Sequence, residues 1–376
     1  MPKVSVIIPA HNRPGLLSAA VVSCLVQTLH DIEVIVVDDG SEEPVQPFVE
    51  AATRGFANHS VIRYFRQPRV GAPGARNLGL AKARGDLVQF LDSDDLLHPE
   101  KHRKQAALLD KNSSLDMVFC LEEWFSETIG DTKLLWNEPD NQEAMDRFPW
   151  NDVVWSTISP LWRRSALDRI GPWNTSLACW QDWEFHIRAL ASGLRHAHLP
   201  EVLNFIRDHG GPRISQNLAA IVREKSKIEA CRLAARHLQA GGLMRRDRGD
   251  GLGVFLLGIA RDLATLNDAK TARHALRTAG LCAGSPGLKL RAMIMLAASK
   301  VAEARGKNQA SALHRAGLLA DRFARLPERA SRWKTIPSPR RDPPTDLMQA
   351  LAEISGLAAR APTASLRGDP IIPPCS

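Results

Sequence analysis

The chain has 376 residues, a formal net charge of +8, 44% hydrophobic and 24% charged residues, proportions that allow a full core without disulfide or metal staples. No stretch approaches the ~18 consecutive apolar residues of a membrane-spanning helix. Met1-Pro2-Lys3 leads straight into a strand pattern, without the apolar run and cleavage site of a signal peptide. The six cysteines lie far apart with no Cys-x-x-Cys pair, which argues against a structural zinc site or a disulfide framework and fits a reducing cytoplasm.

Residues 4–8 form a β-branched run that Pro9 is expected to stop, and Asn12-Arg13-Pro14 opens a helix. Residues 32–37 read as a second strand running into Asp38-Asp39-Gly40-Ser41, where Ser41 is placed to cap a helix starting near Glu42 and Pro44. A third strand over 61–65 is followed by a Gly/Ala-rich turn and helix over 71–83. A fourth over 87–91 runs into Asp92-Ser93-Asp94-Asp95. Residues 98–110 read as helix and 117–121 as a fifth strand. This alternation predicts an α/β fold with a Rossmann-like, mainly parallel sheet flanked by helices. Ligands of such sheets bind beyond the carboxyl ends of the strands, and both Asp clusters fall there. No Gly-x-Gly-x-x-Gly follows the first strand, which argues against a dinucleotide site.

Eight of the nine tryptophans fall in residues 122–216, a less regular stretch with one helical pattern over 182–191. Residues 217–324 are Ala/Leu/Arg-rich with helical spacing and no strand signal, and nine prolines follow from 326 onward. The expected organisation is an α/β domain over 1–216, an α-helical C-terminal domain over 217–325, and a Pro-rich, disordered tail over 326–376 with one short helix near 347–357. Charge divides the same way. Residues 1–216 hold 22 Lys+Arg against 28 Asp+Glu, whereas 217–376 hold 27 against 13. The basic half reads either as solvated helix faces or as a surface for peripheral contact with the inner face of a membrane. Nucleic acid is disfavoured because aromatics are not interleaved with the bases.

Each chemical motif has a bland and a functional meaning. Asp92 and Asp94, two apart past a strand end, make a polar turn, or they offer oxygen ligands to a hard divalent cation that would hold a diphosphate. Asp39 ends a turn, or accepts hydrogen bonds from a nucleobase or ribose. Arg76, near the start of the helix after Gly71-Ala72-Pro73-Gly74, suits a phosphate or pairs with Asp92 or Asp94. Asp182 caps a helix, or acts as general base, kept ionised by the helix dipole, with Glu184 as its competitor. His209, in Arg207-Asp208-His209, is a satisfied histidine or a ligand of metal or phosphate.

No one of these motifs is specific, but their order is. Val4-Ser5-Val6-Ile7-Ile8-Pro9-Ala10-His11-Asn12-Arg13, Glu33-Val34-Ile35-Val36-Val37-Asp38-Asp39-Gly40-Ser41, Gly74-Ala75-Arg76-Asn77-Leu78-Gly79 and Phe90-Leu91-Asp92-Ser93-Asp94-Asp95 together resemble the family 2 glycosyltransferases of GT-A fold over about residues 3–216. The resemblance implies that the donor nucleotide is held by Pro9, Ala10, His11, Arg13 and Asp39, the donor pocket lined by Arg76 and Asn77, the ribose met by Asp92, and a Mn²⁺ or Mg²⁺ ion by Asp94 and His209. The family's Glu-Asp before an aromatic residue maps onto Gln181-Asp182-Trp183, which makes Asp182 the catalytic base and Gln181 a departure, as is His11 where the family more often has Tyr. The implied reaction is an inverting, metal-assisted transfer of a sugar from a nucleotide-diphosphate donor, first among them a UDP-sugar, to a hydroxyl of a saccharide or lipid-linked acceptor in cell-surface polysaccharide or glycoconjugate synthesis. A nucleotide-sugar-binding protein without transferase activity and a nucleotidyltransferase of similar fold are the alternatives. The first strand lacks the basic, Gly-rich phosphate loop of the latter.

Overall fold

The computed structural model describes residues 1–136, 142–208, 218–321, 336–339 and 342–360. One sheet organises it, in the order β10-β7-β6-β8-β4-β1-β2-β3, with β5 and β9 attached off this path. β1 (Val4–Ala10), β2 (Ile32–Asp39), β3 (Ile62–Gln67) and β4 (Leu87–Phe90) are mutually parallel. Every residue of β1, β2 and β4 is buried, which is why they read as continuous apolar runs rather than alternating ones. Pro9 does not stop β1. The β4 pairing ends at Ile7↔Phe90 while the β2 pairing runs on to Ala10↔Asp38, so Pro9 sits where β1 has a neighbour on one side only, a position that tolerates a missing N–H.

Of the three helices that link these strands, the first two pack on one face of the sheet and the third on the other. α1 (Pro14–Leu25) begins with the proline itself. α2 (Gln46–Thr53) starts later than the sequence suggests, and Ser41 does not cap it. The Ser41 Oγ instead accepts a hydrogen bond from the Asn12 N–H, and Asp38 ties the turn by accepting from the Ser41 N–H at 2.9 Å. α3 (Ala72–Lys82) lies against β1 and β2. Gly79 permits that approach, because a Cβ there would lie 2.3 Å from the Ile7 Cγ2. Gly79→Ala is therefore expected to push α3 off the sheet and cost about 1–3 kcal/mol, read as a lowered thermal midpoint. An unchanged midpoint would mean that the helix shifts without cost.

The second half of the sheet is mixed. β6 (Met117–Phe125) runs parallel to β9 (His196–Arg207), while β8 (Leu161–Arg163) is antiparallel to both β4 and β6. β5 (Leu96–Leu97) pairs antiparallel with β9, and β7 (Leu134–Leu135) antiparallel with β6. The helices here are α4 (Lys101–Lys111), α5 (Ala144–Arg147), α6 (Arg164–Ile170) and α7 (Gln181–Ala191). Six of the tryptophans of this half, Trp124, Trp136, Trp155, Trp162, Trp173 and Trp183, are buried, so the Trp-rich stretch is chiefly core.

Five helices follow: α8 (Ala220–Ala240), α9 (Arg246–Thr265), α10 (Ala269–Cys282), α11 (Pro286–Ala304) and α12 (Gln309–Asp321). Asp268 caps α10 and Ser285 caps α11 through their side chains. These helices are not an appendage. One hydrophobic cluster runs from Ile7, Val88 and Phe90 of the sheet through Trp155, Trp183 and Phe185 to Leu252, Met295 and Leu313. Polar ties reinforce it: Arg248 to Asp146 at 2.6 Å, His237 to Glu184 at 3.0 Å, and the Ser226 hydroxyl to the Cys179 carbonyl at 2.8 Å.

Within the Pro-rich stretch two pieces are described, and both are docked. β10 (Ile336–Pro337) pairs antiparallel with β7. α13 (Thr345–Arg360) packs on α1 and α2, with Leu347 fully buried beside Phe125 and Leu96. Cys24, Cys120, Cys179, Cys231 and Cys282 are free and buried. No described helix is long and apolar enough to cross a membrane.

Candidate functional site

The parallel register sets the ends of β1, β2 and β4 side by side, so three turns share one rim: residues 9–13, 38–41 and 92–95. Asn12 adopts φ +52°, and this left-handed residue swings the first turn toward the second, where its Oδ1 accepts the Glu42 N–H at 2.8 Å. Pro9 and Ala10 are buried beneath the rim, while His11 is half-buried with its Nδ1 unpartnered. Arg13 reaches across to Asp94, Nη1 to Oδ2 at 2.9 Å.

Asp39 is buried, and its carboxylate accepts three hydrogen bonds: from the Gln67 amide at 2.8 Å and from the N–H groups of Val70 and Gly71 at 3.0 and 2.8 Å. It therefore shapes the loop that delivers α3. On that helix Arg76 is buried, lies 4.6 Å over the Trp173 ring, and donates from Nη2 to Asp92 at 2.6 Å. Its Nε and Nη1 are buried without a partner. A buried guanidinium with two unmet donors carries a cost that an anionic group with acceptor oxygens removes. Asn77 spends both ends of its amide on the Trp173 backbone, at 2.9 and 2.8 Å. Trp173 in turn stacks on Phe185 of α7, ring centroids 4.2 Å apart and nearly parallel. α3 thus fixes α7 relative to the rim through a single aromatic step.

The acidic turn is crowded. Asp92 is raised from its ordinary value, by burial first and by the charges of Asp94 and Asp182, with Arg76 opposing. Asp95 is raised well above the ordinary range by burial and by Asp94 and Asp92. Arg207 closes this turn: its N–H donates to Asp95 at 2.9 Å, its Nε to the Asp94 carbonyl at 3.0 Å, and its guanidinium lies 4.3 Å over Phe125. His209 lies outside the described residues.

Asp182 is the second residue of α7, half-buried, and accepts the Trp183 N–H at 2.8 Å. Its charge is the smallest of the influences that act on Asp92. Glu184 is spent elsewhere. It is buried, and Arg188 at 2.9 Å and His237 at 3.0 Å hold it below the ordinary carboxylate value despite the upward push of burial. Gln181 is buried with its Oε1 unpartnered. Two contributors escaped sequence reasoning. Arg207 carried no signal beyond its place two residues before His209, and Trp173 gave no periodic or motif signal.

A parallel-then-mixed α/β sheet with carboxylates at the ends of its second and fourth strands is a GT-A type fold, the class also met in S. aureus TarS. The structure of TarS residues 1–349 in complex with UDP-GlcNAc is similar with a TM-score of 0.64 and 19% identity, covering 85% of this chain and 92% of that one. Residues 5–171 match the family described as Glycosyl transferase family 2. It is 37% identical over 111 residues to an uncharacterized glycosyltransferase of Rickettsia felis, a match covering 30% of this chain and 18% of that protein. It is 38% identical over 134 residues to the succinoglycan biosynthesis protein ExoW of Rhizobium meliloti, covering 35% of this chain and 40% of that one. The chain thus spans less than half the length of either relative.

Proposed function

We propose that the chain is an inverting glycosyltransferase that moves a sugar from a nucleotide-diphosphate donor, a UDP-sugar, to an acceptor hydroxyl of a saccharide or lipid-linked substrate in cell-surface polysaccharide or glycoconjugate synthesis. One observation carries it: the buried Arg76 guanidinium, paired with Asp92 at 2.6 Å, keeps Nε and Nη1 unmet beside the Asp92–Asp94 turn, where a diphosphate supplies the missing acceptors. The UDP-sugar assignment is supported by the UDP-GlcNAc bound to the similar TarS fold. The working place is the cytoplasm, in peripheral contact with a membrane.

In this mechanism the turn at 9–13 and Asp39 hold the base, Asp92 holds the ribose, and the two unmet donors of Arg76 meet the diphosphate. Asn77 acts through Trp173. Asp182 takes the proton of the acceptor hydroxyl as it attacks the anomeric carbon from the face opposite the nucleotide. No second carboxylic acid is required, in contrast to glycoside hydrolysis, because the leaving group is a diphosphate.

A divalent cation, Mn²⁺ or Mg²⁺, fits the donor set. The carboxylate oxygens are hard ligands; burial first, and then their mutual repulsion, raises Asp92 and Asp95, and a cation relieves that repulsion. Among the described residues no group of three His, Cys, Asp or Glu is preassembled for a metal, so Asp94 would hold the ion together with the donor's own phosphates, with His209 as the expected further ligand. When bound, the ion offsets charge on the departing diphosphate. Asp94→Ala is expected to keep the fold and to abolish the Mn²⁺-dependent part of UDP affinity in calorimetry. Affinity that still responds to Mn²⁺ as in the wild type would sink the assignment.

A further inference from the structure

α11 turns an apolar stripe to solvent. Leu290, Met293, Ala297 and Val301, spaced three, four and four apart, are all exposed, Met293 by 65%. Its opposite face, Leu288, Ala292, Met295 and Ser299, is buried in the core. The stripe is therefore surplus to the packing of the helix. α12, packed beside α11, exposes Leu318 and Leu319 by 56% and 48%. Single exposed apolar residues are ordinary, but a helical stripe of them marks a contact surface.

The charge around the stripe decides what it meets. Lys289, Lys300, Arg305, Lys307 and Arg315 are exposed on the same two helices and the connection between them, and none forms an ion pair among the described residues. Glu303, the one acid within α11, is paired with Arg273 at 2.9 Å. A second copy of this chain would set these bases against each other. A surface of anionic lipid answers both features, taking the apolar side chains among its acyl chains and the bases at its headgroups. The helix has 19 residues, about 28 Å at 1.5 Å each, long enough to lie along such a surface.

We infer that the exposed face of α11, extended by α12, docks the protein on an anionic lipid bilayer, with Leu290, Met293 and Val301 entering the interface and Lys289 and Lys300 flanking it. This locates the membrane contact included in the proposed function and rests on that reading. Since the helices share one core with the sheet, the test keeps the full chain. Vesicles of phosphatidylcholine with and without phosphatidylglycerol are sedimented with the wild type, with Leu290→Glu/Met293→Glu, and with Lys289→Ser/Lys300→Ser. The expected result is binding to the anionic vesicles alone, released by high salt, weakened at least about tenfold in the Glu variant and less in the Ser variant. Unchanged thermal unfolding and unchanged UDP affinity of the variants separate loss of the surface from loss of the fold or of the donor site. Absence of binding to anionic vesicles, or equal binding by the Glu variant, overturns the inference. So does a wild-type oligomer in light scattering that the Glu variant dissolves, since a second copy would then own the stripe. If UDP fails to bind while vesicles still do, the donor proposal falls and the surface stands.

Discussion

Asp182→Asn is expected to bind UDP as the wild type does and to transfer sugar at least about a hundredfold more slowly. The substitution keeps the side chain's volume and the oxygen that accepts the Trp183 N–H, so α7 keeps its first turn. What it removes is the capacity to take a proton. Glu184 cannot stand in, because Arg188 and His237 already hold its carboxylate in the core between α7 and α8. Glu184→Gln is expected to act differently, lowering stability by loosening α8 while sparing the chemical step in whatever protein remains folded. A rate assay run beside thermal unfolding distinguishes the two. Near-normal transfer by Asp182→Asn would place the base elsewhere.

The second large effect is on stability in acid. Burial lowers His102 and His186 from 6.5 to about 3, with Lys101 adding to the shift of the first and Arg76 to that of the second. Both are neutral in the native state, and neither ring nitrogen of His102 has a partner. Between pH 6.5 and 3 the unfolded chain binds more protons at these positions than the native one, so their contribution to stability is present above pH 6.5 and is lost as pH falls. By pH 5 each accounts for about 2 kcal/mol, a large part of the net stability of a typical domain. Glu122, pushed up to about 7 by burial, works in the opposite sense, since the native state holds its proton as pH falls from 7. The clean measurement is therefore a difference. The urea midpoints of the wild type and of His102→Leu/His186→Phe should diverge between pH 7 and pH 5 by an amount equivalent to about 4 kcal/mol, in favour of the variant. Parallel pH profiles would mean that these histidines gain protons without unfolding.

How much of the fold and site was visible in the residues depends on which interactions built each element. β1, β2 and β4 are buried on both faces, so their apolar runs announce them. α3 is equally plain, its Gly79 required by close packing on Ile7 and its Gly74 by Val70. β8 has three residues and β9 carries Pro200 and Glu201 in its middle. Their strand character comes from partners far along the chain, and no local pattern reports that. Ser41 illustrates the same limit, because a cap in sequence became an acceptor for Asn12 once β1 and β2 lay side by side. The motif points to Asp182 as the base; that Glu184 is held by Arg188 and by His237, more than 50 residues on, is not readable there. The pairing of Arg76 with Asp92 was foreseen as one option, whereas its bed on Trp173 was not. The docking of α13 also escaped, since proline content speaks for its flanks and not for the Leu347, Ala350 and Leu351 face that packs.

That docking has a consequence for how the protein is made. α1 begins at the very turn assigned to the nucleotide base, and its outer side, at Ala19 and Val26, is covered by Leu347, Met348 and Leu351 of α13. The first helix described is thus sealed by the last one described. Contacts across so much chain are slow to form, and apolar surface left open meanwhile invites association. The outer side of α1 thus stays open until residues beyond 350 have been made, and a chain stalled before that point presents α1 to the chaperones with its back uncovered.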